Sequence, residues 1–137
     1  MIASTPEWQE RLGKWLCDQL KCQYVEGQMQ YIGLVVNGNI SAVSGFEGYN
    51  GATVRGHMAI TGRMNKEFIW FSFWYVFEQL KAHKLIGLVD SENTKAIRLD
   101  RHFGYVEEAR INGGTPGGDM IIFTMKKEQC IYLHKFK

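Results

Sequence analysis

Apolar side chains recur at helical spacing near the start of the chain. They are Trp8, Leu12, Trp15, Leu16 and Leu20. The Thr5-Pro6-Glu7 segment before them is typical of a helix start, because a Thr hydroxyl can cap free amides, Pro suits the first turn and an acid favours the positive end of the helix dipole. We therefore predict a first helix whose apolar stripe packs on a sheet, with both tryptophans anchored in the core.

Strand-like patterns follow in the next part of the chain. Two apolar runs, residues 31–36 and 40–46, flank an Asn-Gly dipeptide, which favours the positive φ angles of a tight hairpin turn. They predict an antiparallel hairpin. A third strand is expected over residues 52–61, where the alternation of side chains puts Arg55 and His57 on the same face.

A long aromatic helix is predicted over residues 66–82, with Asn65 as its N-cap. Its aromatic residues cover it nearly all round: Phe68, Trp70, Phe71, Phe73, Trp74, Tyr75 and Phe77. Such coverage is expected of a central helix that is buried on most sides. The alternative is a partly exposed aromatic face that forms a homodimer, since Trp and Tyr are enriched at interfaces. The apolar run at residues 68–77 is shorter than the roughly 20 residues that span a bilayer, so no membrane segment is expected.

The last part of the chain predicts a strand, a helix and a second hairpin. A short apolar run at residues 85–89 precedes a polar break and a helical pattern that ends at Gly104, a residue free to adopt positive φ. The elements expected after it are a strand at residues 105–111, a Gly-rich loop at 112–118, a returning strand at 119–125 and a short helix around 128–133. The whole order predicts an α/β (α+β) fold with a mixed, mostly antiparallel sheet flanked by helices.

Composition sets further bounds on the protein. A chain of 137 residues with 45% apolar content fits one domain, residues 1–137, with a substantial core. The net charge is only +2 and the basic residues are scattered, so we do not expect nucleic acid as a partner. The three cysteines lack paired Cys-x-x-Cys spacing and no signal-like segment opens the chain, which favours a cytoplasmic location.

The helix after the polar break carries a specific pattern. It reads Asn93-x-x-Ala96-x-x-Leu99-x-x-x-Phe103-Gly104-Tyr105. This pattern resembles the closing motif of the GCN5-related N-acetyltransferase (GNAT) superfamily, and the strands after it resemble those of the ribosomal-protein-type and phage-borne members. The resemblance covers residues 31–130. It implies a GNAT-like sheet and acetyl-CoA as the cofactor.

The resemblance also implies where the cofactor's pyrophosphate would bind. Free amides at a helix start offer donors and a favourable dipole, and the matching turn here is residues 61–66. It resembles the family pattern Arg/Gln-x-x-Gly-x-Gly/Ala in a register that begins at Arg63, with Lys66 and Phe68 in place of the small residues. Arg63, Asn65 and Lys66 are therefore candidate cofactor-binding residues, and the two cations could compensate by direct charge contact. The alternative is that both are ordinary solvated cations.

Further cofactor contacts are implied on either side of this turn. By the same resemblance, the backbone of Met58, Ala59 and Ile60 would bind the pantetheine arm and the thioester carbonyl. Asn93, at a boundary between strand and helix, would either cap the helix or hydrogen-bond the pantetheine arm.

Acetyl transfer requires a neutral amine, a polarised carbonyl and a proton for the departing thiolate. Family members often supply that proton from a Tyr just after the helix leucine, but this position is Asp100 here, and the Ser of ribosomal-protein-type members falls at Ala96. The usual acid is therefore missing. His57 is the predicted base, because its unperturbed pKa is near neutral and its strand leads into the phosphate turn; a purely structural, hydrogen-bonded His is the alternative. Tyr105 is a candidate acid, and Tyr75 is another.

These observations predict an acetyl-CoA-dependent N-acetyltransferase that needs no metal and acts by direct attack of an amine of a protein or small molecule. The alternative is a weak or inactive GNAT-fold binding module, such as a phage or mobile-element effector that docks a host protein. The missing glycines and the missing acid favour that alternative. Acetylation of aminoacyl-tRNA would need more basic surface than this chain carries.

Overall fold

The computed structural model describes residues 1–135, which form a seven-stranded sheet with helices packed on it. The strands are β1 Ile2–Ala3, β2 Gln30–Val36, β3 Asn39–Glu47, β4 Thr53–Ile60, β5 Lys84–Asp90, β6 Val106–Thr115 and β7 Gly118–Met125. The helices are α1 Pro6–Leu20, α2 Lys66–Trp74, α3 Thr94–Phe103 and α4 Ile131–Lys135, with a π-helical segment at Tyr75–Gln79 and a 3₁₀ turn at Lys127–Gln129. The strand order is β1-β2-β3-β4-β5-β7-β6.

The first helix confirms the predicted apolar stripe. Leu12 and Leu16 are fully buried, and both tryptophans pack against the same cluster on one face of β2 and β3. The helix can lie close to the sheet because Gly33 has no side chain: a Cβ there would lie 2.3 Å from Leu12 Cδ2. Thr5 occupies the N-cap position, but the prediction that its hydroxyl caps a free amide is wrong, because it makes no hydrogen bond to a helix amide.

The predicted hairpin between β2 and β3 is confirmed. It turns at Asn37 and Gly38, whose φ angles are 52° and 79°. These are the positive values that an Asn-Gly turn supplies at low steric cost.

The aromatic helix begins as predicted but ends early. Asn65 is its N-cap, with Oδ1 accepting from Phe68 N at 2.8 Å. The helix widens after Trp74, where Leu80 N donates to Tyr75 O at 2.9 Å. Lys81 then adopts a left-handed φ of 60°, so the predicted continuation to residue 82 is wrong.

The aromatic side chains of this helix are divided between core and surface. Phe68, Phe73 and Phe77 are at most 2% exposed. Trp70, Phe71, Trp74 and Tyr75 are only partly buried. The helix is therefore central on one side and leaves aromatic surface on the other.

The predicted loop at residues 112–118 is wrong. β6 continues to Thr115, which pairs with Gly118 across a tight turn, and a bulge after Ile111 absorbs the extra residues. Glycine is required there because a Cβ on Gly114 would lie 2.8 Å from Met120 Cβ. The expected helix at residues 128–133 is instead the 3₁₀ turn followed by α4.

The feature that positions the site is the divergence of β4 from β5. These strands pair in parallel only from Thr53–Arg55 to Lys84–Ile86, whereas all other strand pairs in the described sheet are antiparallel. Beyond that point β4 stays with β3, and β5 stays with β7. A gap therefore opens in the middle of the sheet. None of the helices within residues 1–135 combines the length and the apolar character needed to cross a bilayer.

Candidate active site

The gap between β4 and β5 forms a cavity of about 240 Å³. Both strands and α3 line it, and the end of α1 reaches it from one side. The lining residues that carry polar or titratable side chains are His57, Asp90, Asn93, Asp100 and Tyr105. The cavity thus combines an apolar wall with several groups able to exchange protons or donate hydrogen bonds.

The inner edge of β4 offers backbone groups to this cavity. Beyond Arg55, β4 has a strand partner only on its β3 side, so alternate N–H and C=O groups on the other side lack a strand neighbour. Met58 lines the cavity, and Ala59 and Ile60 continue the same edge outside the lining. Such an edge can pair with an extended ligand that carries amides.

His57 is held by a carboxylate from the neighbouring strand. Its Nε2 lies 2.7 Å from Glu47 Oε2, and Arg55 Nη2 donates to Glu47 Oε1 at 2.9 Å. The Glu47 side chain is only 10% exposed. Burial alone would raise the pKa of Glu47, but hydrogen bonds from Gln28 and His57 and the nearby charges of His57 and Arg55 hold it below its usual value.

This contact determines what the His57 ring can do. A carboxylate only accepts hydrogen bonds, so the proton of the neutral ring lies on Nε2 and Nδ1 keeps a lone pair. This hydrogen bond fits a structural histidine and an oriented base equally well. With Nδ1 unprotonated and the ring oriented by a carboxylate, His57 could accept a proton as a base. This base role stays a prediction.

Asp100 and Tyr105 meet at Gly87 on β5. The point where a Gly87 Cβ would lie is 3.7 Å from Asp100 Oδ2 and 3.5 Å from Tyr105 Cε1. Burial raises the pKa of Asp100 to about 7. Burial, together with the charges of Asp100 and Cys130, raises the pKa of Tyr105 well above its usual value.

Asp100 lines the cavity although the sequence did not mark it as a candidate site residue. In the sequence pattern, this position indicates only the absence of the family Tyr. A signal was present, since Asp100 follows Ala96 by one helical turn and Leu99 by one residue on the amphipathic α3, and all three line the cavity. A carboxyl residue on the face of a helix that points into the protein is thus the sequence signal for Asp100.

The remaining predicted residues divide into two groups. Asn93 lines the cavity and caps α3, with Oδ1 accepting from Ala96 N at 3.1 Å. Arg63 and Asn65 lie in the exposed turn between β4 and α2, Lys66 is the first residue of α2, and none of the three lines the cavity.

The alternative acid Tyr75 is also outside the cavity. It packs against Phe46 with ring centroids 5.3 Å apart, and burial raises its pKa. This position removes it as an acid for chemistry in the gap.

No family model matches the sequence, and no curated protein matches it. Solved structures do match over nearly the whole chain. Spermidine N-acetyltransferase SpeG from Vibrio cholerae aligns with a TM-score of 0.76 at 15% identity, covering 100% of this chain and 99% of that chain. The chain has the GNAT fold.

Two further GNAT structures show the same likeness. The N-acetyltransferase PseH from Campylobacter jejuni, solved in complex with acetyl coenzyme A, aligns with a TM-score of 0.60 at 16% identity over 88% of this chain and 80% of that one. A ribosomal-protein-S5-alanine acetyltransferase from Vibrio fischeri aligns with a TM-score of 0.63 at 15% identity over 92% and 74%. The predicted GNAT-like mixed sheet is therefore confirmed.

Proposed function

We propose that the protein is an acetyl-CoA-dependent N-acetyltransferase that transfers an acetyl group to an amine of a protein or small molecule by direct attack. The observation that carries this proposal is the gap between β4 and β5, which brings an unpaired strand edge and several proton-exchanging groups to one cavity. The acetyl-CoA complex of PseH, which shares the fold, supports the choice of cofactor. Acetyl-CoA would supply an acetyl group activated as a thioester.

The residues around the gap fit such a cofactor. The free edge of β4 at residues 58–60 presents backbone donors and acceptors for the pantetheine amides, and the Asn93 side chain adds polar atoms at the opposite wall. Phe68 stands where the family has a small residue, but its side chain is fully buried and leaves the turn before α2 open. The exposed cations are Arg63, within that turn, and Lys66, at the first residue of α2, and both are suited to the pyrophosphate.

His57 is the proposed base for the acceptor amine. Its ring, oriented by Glu47, would take the proton that the amine loses as the nitrogen attacks. The Glu47 carboxylate holds the ring in a fixed orientation for this step, as the second group of a base pair does in other enzymes.

The proposal predicts two results with purified protein. Acetyl-CoA at about 100 times its Kd should stabilise the fold by about 2.7 kcal/mol, seen as a rise in Tm. Intact-mass measurement on a panel of amines and amine-bearing peptides should show acetylation, which His57→Ala should reduce by about 100-fold or more. His83→Ala is the matched control, because His83 is exposed and outside the cavity. Absence of a Tm shift at millimolar acetyl-CoA would contradict the proposal.

A catalytically inactive binding module is the second candidate. The observation that favours it is the aromatic surface of α2, where Trp70 and Trp74 stack at 6.3 Å and line a second cavity of about 220 Å³. A protein partner captured equally by wild type and His57→Ala, without acetylation, would support this candidate over the enzyme.

A further inference from the structure

The Asp100 carboxyl lies in the cavity without a counter-ion. Within residues 1–135 it has neither a hydrogen bond nor an ion pair. The neighbouring Arg101 on the same helix turns away, with its guanidinium 4.0 Å from Glu107 and 5.7 Å from the centre of the Phe123 ring. No partner within residues 1–135 therefore offsets the free-energy cost of removing the charged carboxylate from water.

The titratable groups around Asp100 do not supply a fixed positive charge. Asp90 lines the cavity from β5, His57 lines it from β4, and Tyr105 lies beside Asp100 against Gly87. Cys130, near Tyr105, is fully buried, and burial raises the pKa of its thiol to about 11. The carboxyl is therefore surrounded by apolar walls, acids and one histidine, an environment that favours its neutral, protonated form.

We propose that Asp100 is the catalytic acid that protonates the departing thiolate. The inference rests on the proposed acetyl transfer in the same cavity. In that reaction the amine nitrogen forms a bond to the acetyl carbon, and the bond from this carbon to sulfur breaks. The amine proton goes to His57, and the Asp100 proton goes to the sulfur, which leaves as the free thiol. Exchange with solvent returns both residues to their starting states.

Acid strength favours Asp100 over Tyr105 for this step. An alkyl thiol has a pKa of about 8.5, so transfer from a carboxyl whose pKa is raised to about 7 is downhill. The same transfer from Tyr105, whose pKa is raised well above 10, is uphill. Two neighbouring acids with pKa values so far apart suit different roles. The Tyr105 ring lines the cavity and packs on Phe123, with ring centroids 6.3 Å apart.

Steady-state kinetics on an accepted amine test the role directly. Asp100→Asn should lower kcat about 100-fold or more with the KM for acetyl-CoA nearly unchanged, and should remove the fall of kcat above neutral pH. Asp18→Asn makes the same chemical change on the exposed surface of α1 and is the matched control. With 4-nitrothiophenyl acetate, whose thiolate leaves without a proton, the loss in Asp100→Asn should shrink to less than about 10-fold. A purely structural residue would lose equally with both donors.

Each remaining outcome is decisive. Full activity in Asp100→Asn, or a loss confined to Tyr105→Phe, would overturn the inference while the N-acetyltransferase proposal stands. ¹³C NMR of the aspartate carboxyls provides a readout independent of turnover: one resonance absent from Asp100→Asn should titrate near neutral pH. Titration of that resonance below pH 5 would overturn the inference even in an active enzyme. A wild type that binds acetyl-CoA but acetylates no amine would defeat both proposals.

Discussion

Replacing Asp100 with Asn should stabilise the protein, and the gain should grow as the pH rises. Burial raises the pKa of this carboxyl from an ordinary 3.8 to about 7. Between these values the folded state holds a proton that the unfolded state has released, so wild-type stability falls as pH increases through that window and is constant above it. Asn has nearly the same shape and no charge to desolvate, so the variant avoids this loss.

The size of the effect follows from the shift. Each pKa unit corresponds to about 1.4 kcal/mol, so the full window from 3.8 to about 7 is worth about 4 kcal/mol. Between pH 5 and pH 8 only the upper part of that window is crossed. The advantage of Asp100→Asn should therefore be about 3 kcal/mol larger at pH 8 than at pH 5, which is about 10 °C in Tm for a domain of this length.

Urea unfolding followed by tryptophan fluorescence measures this directly. Wild type and Asp100→Asn would be compared at pH 5 and pH 8, which cancels the titration of all other groups. Asp18→Asn, exposed on α1, is the control and should show nearly the same difference from wild type at both pH values.

An equal difference between wild type and Asp100→Asn at the two pH values would refute the reasoning. It would mean that the carboxyl is hydrated in the folded protein, so that the gap between β4 and β5 is filled with water around Asp100. The proposed acid would then lose its physical basis as well.

Two further predictions concern the core and use the same urea measurement. Gly104→Ala should destabilise the fold by about 3 kcal/mol or more, because φ is 113° and the new Cβ would lie 2.0 Å from Gln129 O. Gly113→Ala, with φ 63° and open space around it, should cost only about 1 kcal/mol, and equal losses would contradict the clash. Ser72→Ala should cost about 1–3 kcal/mol, because it leaves the fully buried Ser44 hydroxyl without the partner 2.8 Å away. The Ser72 hydroxyl donates its proton to Phe68 O, so Ser44 is the donor in the bond between the two serines. Ser44→Ala should therefore cost less, because Ser72 keeps its bond to the helix backbone. A larger loss in Ser44→Ala than in Ser72→Ala would contradict this assignment.

Local signals predicted much of the fold correctly. Asn65 and Asn93 cap the helices that follow them, and Asn37 forms the hairpin turn with its neighbouring glycine. Each of these features depends on backbone geometry within a few residues, which residue type largely determines. The loop expected at residues 112–118 was wrong because its glycines serve a bulge between paired strands, and pairing is a contact with residues further along the chain.

The candidate site was predicted in part. His57 and Asn93 were expected, and both line the cavity. The carboxylate that orients His57 was not, because Glu47 lies on another strand and only the register of β3 on β4 brings the two together. The sequence shows Asp100 in place of the family Tyr, but the partial burial of its side chain depends on how α3 packs over the gap.

The order of helices and strands, their caps and turns, and the GNAT resemblance of the α3 segment can be read from neighbouring residues in the chain. The divergence of β4 from β5 cannot, since it results from each strand keeping a different partner. The raised pKa of Asp100 is likewise a property of the assembled cavity, because the hydration of a carboxyl depends on every element that surrounds it.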